Sequence, residues 1–138
     1  MSDNPAVKPF VASEVAPHSD MGFIRAFCES PSLVAALKTA AALCDAVAPH
    51  ATVIACKVRP YWKFEGQYEL DLDLTGLQFV DLANALAGQW VMGGDDREPF
   101  VIWNAGQDGP FAVPTMTWAN LEVLPPPETN DTAESEAR

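Results

Sequence analysis

The chain has 138 residues, of which 49% are hydrophobic and 20% are charged. This length predicts one domain, and the composition is that of a globular protein and excludes wholesale disorder. Nineteen acidic residues against eight basic ones give a net charge of −11. The negative charge argues against nucleic acid and against an anionic membrane surface as partners, because binding to either needs lysines and arginines. A partner attracted by charge would be basic.

The compartment is predicted from what the chain lacks. No apolar run approaches the roughly 20 residues that span a bilayer, and the N-terminus has neither the basic nor the apolar region of a secretory signal. Cys28, Cys44 and Cys56 are odd in number and widely spaced in apolar segments. They predict small buried side chains in a reducing compartment, which makes the cytoplasm the expected location.

The chain divides into three parts. Residues 1–19 contain three prolines and no sustained periodicity, which predicts a flexible arm. Residues 20–124 form the predicted α+β domain. Residues 125–138 begin with three prolines and continue with small and acidic residues, which is typical of a disordered tail.

The first elements of the domain are a strand, a helix and a second strand. The alternating segment 22–29 predicts a strand, and Ser30-Pro31 marks the start of a helix over 31–48. The apolar β-branched segment 51–58 predicts a central strand. The residues of the helix that recur at three-four spacing, and are expected to face the core, are Leu33, Val34, Leu37, Ala41, Cys44 and Val47–Ala48.

The remaining elements follow a hairpin connection at 59–66. Residues 67–74 alternate without interruption and predict a strand. A capping box at Thr75–Gln78 opens a second helix that ends near Gly88. A turn at 93–98 leads to a strand at 99–105, and a second turn at 106–110 separates this strand from the last one at 115–123. The inner face of the second helix is expected to carry Phe79, Leu82, Ala83, Leu86 and Trp90.

The predicted order is β-α-β-β-α-β followed by one further strand. Two split β-α-β units of this kind give a ferredoxin-like or related fold, with an antiparallel sheet and two helices on one face. The opposite face of the sheet is then open to water.

Three carboxylates, Glu69, Asp71 and Asp73, are expected on that open face. Alternate residues of a strand lie about 6.5–7 Å apart, so the three form a negative stripe that would attract a basic surface. A plainer interpretation is that Lys57 and Arg59 on the neighbouring strand neutralise them. A metal site is disfavoured, because calcium and magnesium need more convergent oxygens than a straight strand supplies.

Tyr61, Trp62 and Phe64 lie together in the hairpin connection, next to basic residues. Exposed aromatic side chains beside arginine are typical of the centres of protein interfaces. The alternative is a small satellite core beneath the N-terminal arm. Trp103 and Trp118 are better explained as core or sheet-face packing.

Asp95 and Asp96 lie in the turn at 93–98, with two glycines before them. Aspartate favours turns through local bonds to the backbone, so a simple turn is the first interpretation. A mobile binding loop is the alternative.

The sequence contains no pattern typical of an active site or a cofactor site. The sequence has two histidines: His18 lies in the arm, and His50 follows the end of a predicted helix. Neither forms a catalytic sequence motif with a nucleophile. Phosphate-binding glycine loops, zinc motifs and Cys-x-x-Cys pairs are absent from the sequence. We therefore expect a protein that is not an enzyme, with no cofactor and no bound metal.

The segment VIWNAGQDGPFAVPTMTWANLEV, with its closing Trp118, Leu121, Glu122 and Val123, resembles bacterial immunity proteins of polymorphic toxin and contact-dependent growth inhibition systems. That resemblance implies a cognate toxin domain, such as a basic nuclease, blocked by an acidic surface. It implies no particular contact residue.

Three functions remain open. The first is an immunity protein whose partner-binding residues are Glu69, Asp71, Asp73, Tyr61, Trp62, Phe64, Asp95 and Asp96. The second is a ferredoxin-like module that binds a small molecule as a dimer, with Trp103 and Trp118 at the seam. The third is a small hydrolase or isomerase that uses one carboxylate.

Overall fold

The computed structural model describes residues 8–125, which form one antiparallel sheet of seven strands and two α-helices. The strand order is β1-β5-β6-β7-β2-β4-β3. The elements are β1 (Lys8–Pro9), a 3-10 turn (Ala12–Glu14), β2 (Gly22–Glu29), α1 (Leu33–Val47), β3 (Thr52–Pro60), β4 (Gln67–Thr75), α2 (Phe79–Leu86), β5 (Val91–Gly94), β6 (Pro99–Asn104) and β7 (Met116–Val123). The predicted α+β class is confirmed.

The sheet is larger than predicted, and the ferredoxin-like order is not confirmed. Strand β5 was not expected, because its sequence Val-Met-Gly-Gly overlaps a segment with the glycines of a turn. It pairs with β6 and also with the short β1, where Lys8 faces Met92. Three strands, β5, β6 and β7, therefore form a meander after the second helix, where two strands were expected.

The N-terminal segment is attached to the domain from residue 8 onward, which corrects the prediction of a flexible arm for residues 8–19. The backbone N–H of Ala16 donates to Asp96 O at 2.7 Å, and that of His18 donates to Arg97 O at 2.9 Å. The ring of Phe10 packs edge-on against Phe79 with centroids 6.1 Å apart. The rest of the predicted arm and the predicted tail from residue 126 lie outside the described residues.

Helix α1 buries a different face from the one predicted. The Ser32 hydroxyl, not that of Ser30, caps the helix by accepting from the Ala35 N–H at 3.1 Å. Small side chains bring the helix axis close to the sheet, so the larger apolar residues of the other face remain in solvent. Its buried residues are Ala36, Ala40, Leu43 and Val47, whereas Leu33, Val34 and Leu37 are 46%, 63% and 49% exposed.

Helix α2 has the predicted inner face but not the predicted start. Thr75 is the last residue of β4, and Gln78 occupies the N-cap position without a side-chain cap, so the capping box was wrong. Trp90 lies beyond the helix and is buried, and its indole N–H donates to Ala83 O at 2.9 Å. The buried residues of the helix are Phe79, Leu82, Ala83 and Leu86.

The two helices and one face of the sheet enclose a single core, to which the strands contribute mainly leucine, isoleucine, valine and alanine side chains. We call the other face of the sheet the open face, because no helix of residues 8–125 covers it. Three rows of neighbours cross it: Asn104, Trp118, Phe27, Glu69 and Arg59; Ile102, Asn120, Arg25, Asp71 and Lys57; Phe100, Glu122, Phe23, Asp73 and Ala55.

A bulge in β7 changes which tryptophan reaches the open face. Trp118 stands opposite Phe27, but Met116 stands opposite Cys28, so Thr117 is the extra residue. The bulge turns Met116 into the core, although simple alternation placed it on the same side as Trp118. Trp103 is also in the core and is 3% exposed, so Trp103 and Trp118 lie on opposite faces and cannot form one seam.

The cysteines differ in their surroundings. Cys28 is buried as predicted, Cys44 is half-buried and Cys56 is exposed on β3. The prediction of three buried thiols is therefore wrong for Cys56, because β3 is the outermost strand rather than a central one. No helix within residues 8–125 is long and apolar enough to cross a membrane.

Candidate functional site

Glu69 and Asp71 are bound by two arginines of the same chain. Arg59 Nη2 lies 3.0 Å from Glu69 Oε2 and 3.2 Å from Asp71 Oδ2. Arg25 Nε lies 3.1 Å from Asp71 Oδ1 and 3.3 Å from Glu69 Oε2. The carboxylate side chains are only 13% and 20% exposed, while the arginines are more than half exposed. The plainer interpretation of this stripe is thus confirmed for Arg59, and Arg25 is a partner that the sequence did not reveal.

The two carboxyl groups respond to this network in opposite directions. Burial alone would raise the pKa of Glu69, but hydrogen bonds from Arg59 and the charges of both arginines hold it below its ordinary value. Burial raises the pKa of Asp71, and its hydrogen bond with Glu69 raises it further, against the influence of Arg25. Glu69 is therefore the ionised centre of the network.

Asp73 and Lys57 are the exposed charged residues that the network leaves out. Each lies on the open face, and neither makes an ion pair within 4.0 Å in the described part of the chain. The acidic row therefore carries less uncompensated charge than its sequence indicated, because only Asp73 keeps a free carboxylate there.

The negative charge is concentrated on one side of the sheet. Residues 22–75, which contain β2, α1, β3 and β4, carry six acidic and five basic residues. Residues 8–21 and 76–125 carry eight acidic and two basic residues. Asp20 and Asp81 of this acidic side line one groove of about 470 Å³. A basic partner would be attracted mainly to this side.

Asp95 and Asp96 lie on the acidic side and belong to the turn between β5 and β6. Asp95 Oδ1 accepts from the N–H groups of Arg97 at 3.0 Å and Glu98 at 2.8 Å, which lowers the pKa of this carboxyl group. The backbone of Asp96 holds the N-terminal segment. The turn interpretation therefore accounts for both residues, and they lie at the other end of the strands from Trp62.

The aromatic residues of the β3–β4 connection form a cluster with two residues of the open face. Tyr61 is the centre of this cluster, with its ring centroid 4.7 Å from that of Phe27 and 5.8 Å from that of Phe64. Phe27 in turn lies 5.5 Å from Trp118. We call these residues, together with Trp62, the aromatic cluster.

Trp62 projects furthest into solvent. Its side chain is 86% exposed although its ring centroid is only 6.1 Å from that of Tyr61, and Phe64 is 58% exposed. The described part of the N-terminal segment lies at the opposite edge of the sheet, beside β5, so a satellite core beneath the arm is wrong. The exposed rings are thus available to another molecule.

A groove of about 550 Å³ runs between the cluster and the sheet. Its polar lining comes from Glu65, Gln67 and Thr117, and the Thr117 hydroxyl donates to Gln67 Oε1 at 3.1 Å. Phe27 was not predicted as a site residue, although the alternation of β2 already placed it in phase with Arg25. Trp118 was interpreted as packing, because its proximity to Tyr61 depends on the pairing of distant strands.

The described residues form no candidate metal centre. No group of three or more His, Cys, Asp or Glu side chains within residues 8–125 is placed to hold a metal ion. The Nδ1 of His50 is buried without a hydrogen-bond partner in that part of the chain.

Comparison with known proteins adds no relative from which a role could be transferred. No protein-family model, curated protein or solved structure matches the chain.

Proposed function

We propose that this protein acts by binding another protein, and that it is an immunity protein which neutralises a cognate bacterial toxin domain. The observation that supports a binding role is the aromatic cluster, with Trp62 exposed over 86% of its side chain. Tryptophan and tyrosine are the side chains that most often dominate the energy of protein interfaces. The immunity role is the more specific part of the proposal. It is supported by the resemblance of the closing strand to bacterial immunity proteins.

The charge of the chain supports a basic partner, such as a toxin nuclease whose active cleft holds phosphate. The acidic row at Glu69 and Asp71 contributes little to that attraction, because Arg25 and Arg59 compensate it. The acidic side formed by residues 8–21 and 76–125 supplies the long-range field instead. Charge then accelerates the encounter, and the aromatic cluster supplies the apolar contact.

The proposal requires a toxin gene beside this one, and its test is neutralisation of that toxin. Cells that express the toxin survive with the wild-type protein, and Trp62→Ala is expected to weaken the complex by roughly 30-fold or more, as for an interface hot spot. Val11→Ala is the matched control, since Val11 is a 41% exposed apolar residue at the other edge of the sheet. Wild-type affinity of Trp62→Ala would contradict the assignment of the cluster. Failure of the wild-type protein to bind or protect would contradict the immunity role.

A second candidate is the binding of a small molecule in the groove of the aromatic cluster. Its volume of about 550 Å³ and its apolar walls with three polar groups are within the range of ligand sites. Titration of a library of aromatic and amphipathic compounds, monitored by tryptophan fluorescence, tests this candidate. Binding that is lost in Trp118→Leu but retained in Trp62→Ala would favour it over a protein partner.

A further inference from the structure

Strand β3 presents a free edge nine residues long. It pairs with β4 on one side and with no other strand of residues 8–125. The Tyr61 N–H donates to Gln67 O at 2.8 Å, so Tyr61 directs its backbone groups toward β4. In an antiparallel pair every second residue of a strand does so. The backbone groups of Cys56 and Val58 therefore point away from β4, where they can accept a further strand. A long unpaired edge is a template for pairing with another chain.

Apolar side chains line this edge on the helix side of the sheet. Helix α1 packs on β3, and Cys44 of the helix lies beside Cys56 of the strand. Leu33 and Leu37 share the flank of α1 that carries Cys44, because they precede it by three and two turns of the helix. They are 46% and 49% exposed, and Ile54, the extra residue of a bulge in β3, is 56% exposed. Leu33 and Leu37, which α1 does not bury, thus lie beside the free edge of β3.

The charge distribution favours a second copy of this chain as the occupant. Residues 22–75 are nearly neutral, whereas the opposite side of the sheet is strongly acidic. Two copies repel each other least when they meet through β3. On the open face beside that edge, Lys57 of β3 and Asp73 of β4 are exposed charges that make no ion pair in the described residues.

The register of such a pair follows from like-charge repulsion. In an antiparallel pairing centred on Cys56, Lys57 lies opposite Ala55 of the second copy. Registers shifted to set Lys57 opposite Lys57 or Arg59 bring like charges together, which is unfavourable. Ala55 is the neighbour of Asp73 on β4. Lys57 of the second copy can therefore extend over this short side chain to Asp73, and the two-fold axis repeats the contact.

We propose that the protein forms a homodimer through β3, with antiparallel strands related by a two-fold axis at Cys56 and with Lys57 of each copy paired to Asp73 of the other. Leu33 and Leu37 of both copies would be covered on the helix side of the joined sheets. This surface is separate from the aromatic cluster, which stays accessible.

A charge exchange tests the proposal. Sedimentation equilibrium in the micromolar range is expected to show a wild-type dimer, and Lys57→Glu or Asp73→Lys is expected to weaken self-association roughly tenfold or more. An equimolar mixture of the two variants should then form a heterodimer in native mass spectrometry, because both contacts between positions 57 and 73 again join opposite charges in the mixed pair. This recovery also shows that both variants are folded. Lys38→Glu is the matched control, since it makes the same charge change on an exposed position of α1.

The position of the axis has its own measurement. In the Cys44→Ser variant a short bismaleimide should join two copies through Cys56, the exposed cysteine, and unfolding is not needed. Three outcomes would each overturn the proposal. The wild-type protein could stay monomeric throughout the micromolar range, neither charge change could affect the dimer, or the mixture of variants could fail to form the heterodimer. A monomer whose binding to a toxin depends on Lys57 but not on Trp62 would assign the edge to that partner instead.

Discussion

Arg25 on β2 stands directly opposite Asp71 on β4, and its Nε lies 3.1 Å from Asp71 Oδ1 although the two residues are 46 positions apart. Arg59 completes the same arrangement from β3. The carboxylates that appeared from the sequence to be a docking stripe are therefore part of the internal bonding of the sheet. Charged hydrogen bonds of this kind stabilise a fold most when both partners are held in place.

The stability contributed by Glu69 should depend on pH. Burial works to raise its pKa, but the arginines hold the pKa below its ordinary value, so the stabilisation is present above about pH 4.3 and is lost as the pH falls below it. Glu69→Gln is expected to lower the free energy of unfolding by about 1–2 kcal/mol at pH 7 and by less at pH 3. Urea unfolding at both pH values measures this.

Asp71→Asn is the contrast to that substitution. Burial and the neighbouring Glu69 raise the pKa of Asp71, so its contribution is full at low pH and decreases as the pH rises through the raised pKa. The amide is therefore expected to cost less than Glu69→Gln at pH 7. Equal losses at pH 7, or a loss for Glu69→Gln that does not change with pH, would contradict the assignment of Glu69 as the ionised centre.

Gly22 is expected to tolerate no side chain. A Cβ at this position would lie 2.5 Å from the backbone oxygen of Glu122 and 2.5 Å from Leu77 Cδ2. Gly22→Ala should therefore reduce the free energy of unfolding by about 1–3 kcal/mol or more, as overpacking does. Gly88→Ala is the control, because a Cβ there meets no atom within 4 Å. Thermal unfolding of the two variants should differ clearly, and similar melting temperatures would show that β2 can shift away from β7.

The buried face of α1 is tested by two identical truncations. Leu43 is fully buried, whereas Leu33 is 46% exposed. Leu43→Ala is expected to cost about 2–5 kcal/mol through lost burial and the cavity that remains, and Leu33→Ala less than about 1 kcal/mol. Chemical unfolding of dilute protein separates them. The opposite order would mean that the helix is rotated toward the face favoured by the sequence.

The three thiols should react in a fixed order. Cys56 is exposed and is expected to be alkylated first. Burial, assisted by Cys56 and Asp45, raises the pKa of Cys44 to about 11, so little thiolate forms there at neutral pH. Burial also raises the pKa of Cys28, which should react only after unfolding. Peptide mass spectrometry after timed iodoacetamide treatment gives the order, and early labelling of Cys28 would contradict it.

Local pattern was sufficient to predict much of the fold. The alternation in β2 and β4 and the periodicity of α2 each specify one buried face, and those faces are the ones found in the core. The face of α1 was wrong because both of its sides are apolar, and the sheet accepts the side with small alanines. The Gly-Gly of β5 was interpreted as a turn, since pairing with β1 and β6 is a tertiary effect that local propensity does not contain.

The candidate site could be predicted only in part. Trp62 and its aromatic neighbours were identified from their position in a hairpin connection, and Arg59 follows from the pairing of consecutive strands. Arg25, Phe27 and Trp118 join them through the pairing of β2 with β4 and β7, which bring together segments far apart in the chain. No local signal specifies those neighbours.

The uneven charge distribution separates two stages of any encounter with a basic protein. The acidic side turns toward the partner at long range, whereas the exposed tryptophan lies on the nearly neutral side. A complex held by Trp62 must therefore rotate after first contact. Added salt should slow its formation while its lifetime changes little, because screening acts on distant charges and not on buried rings.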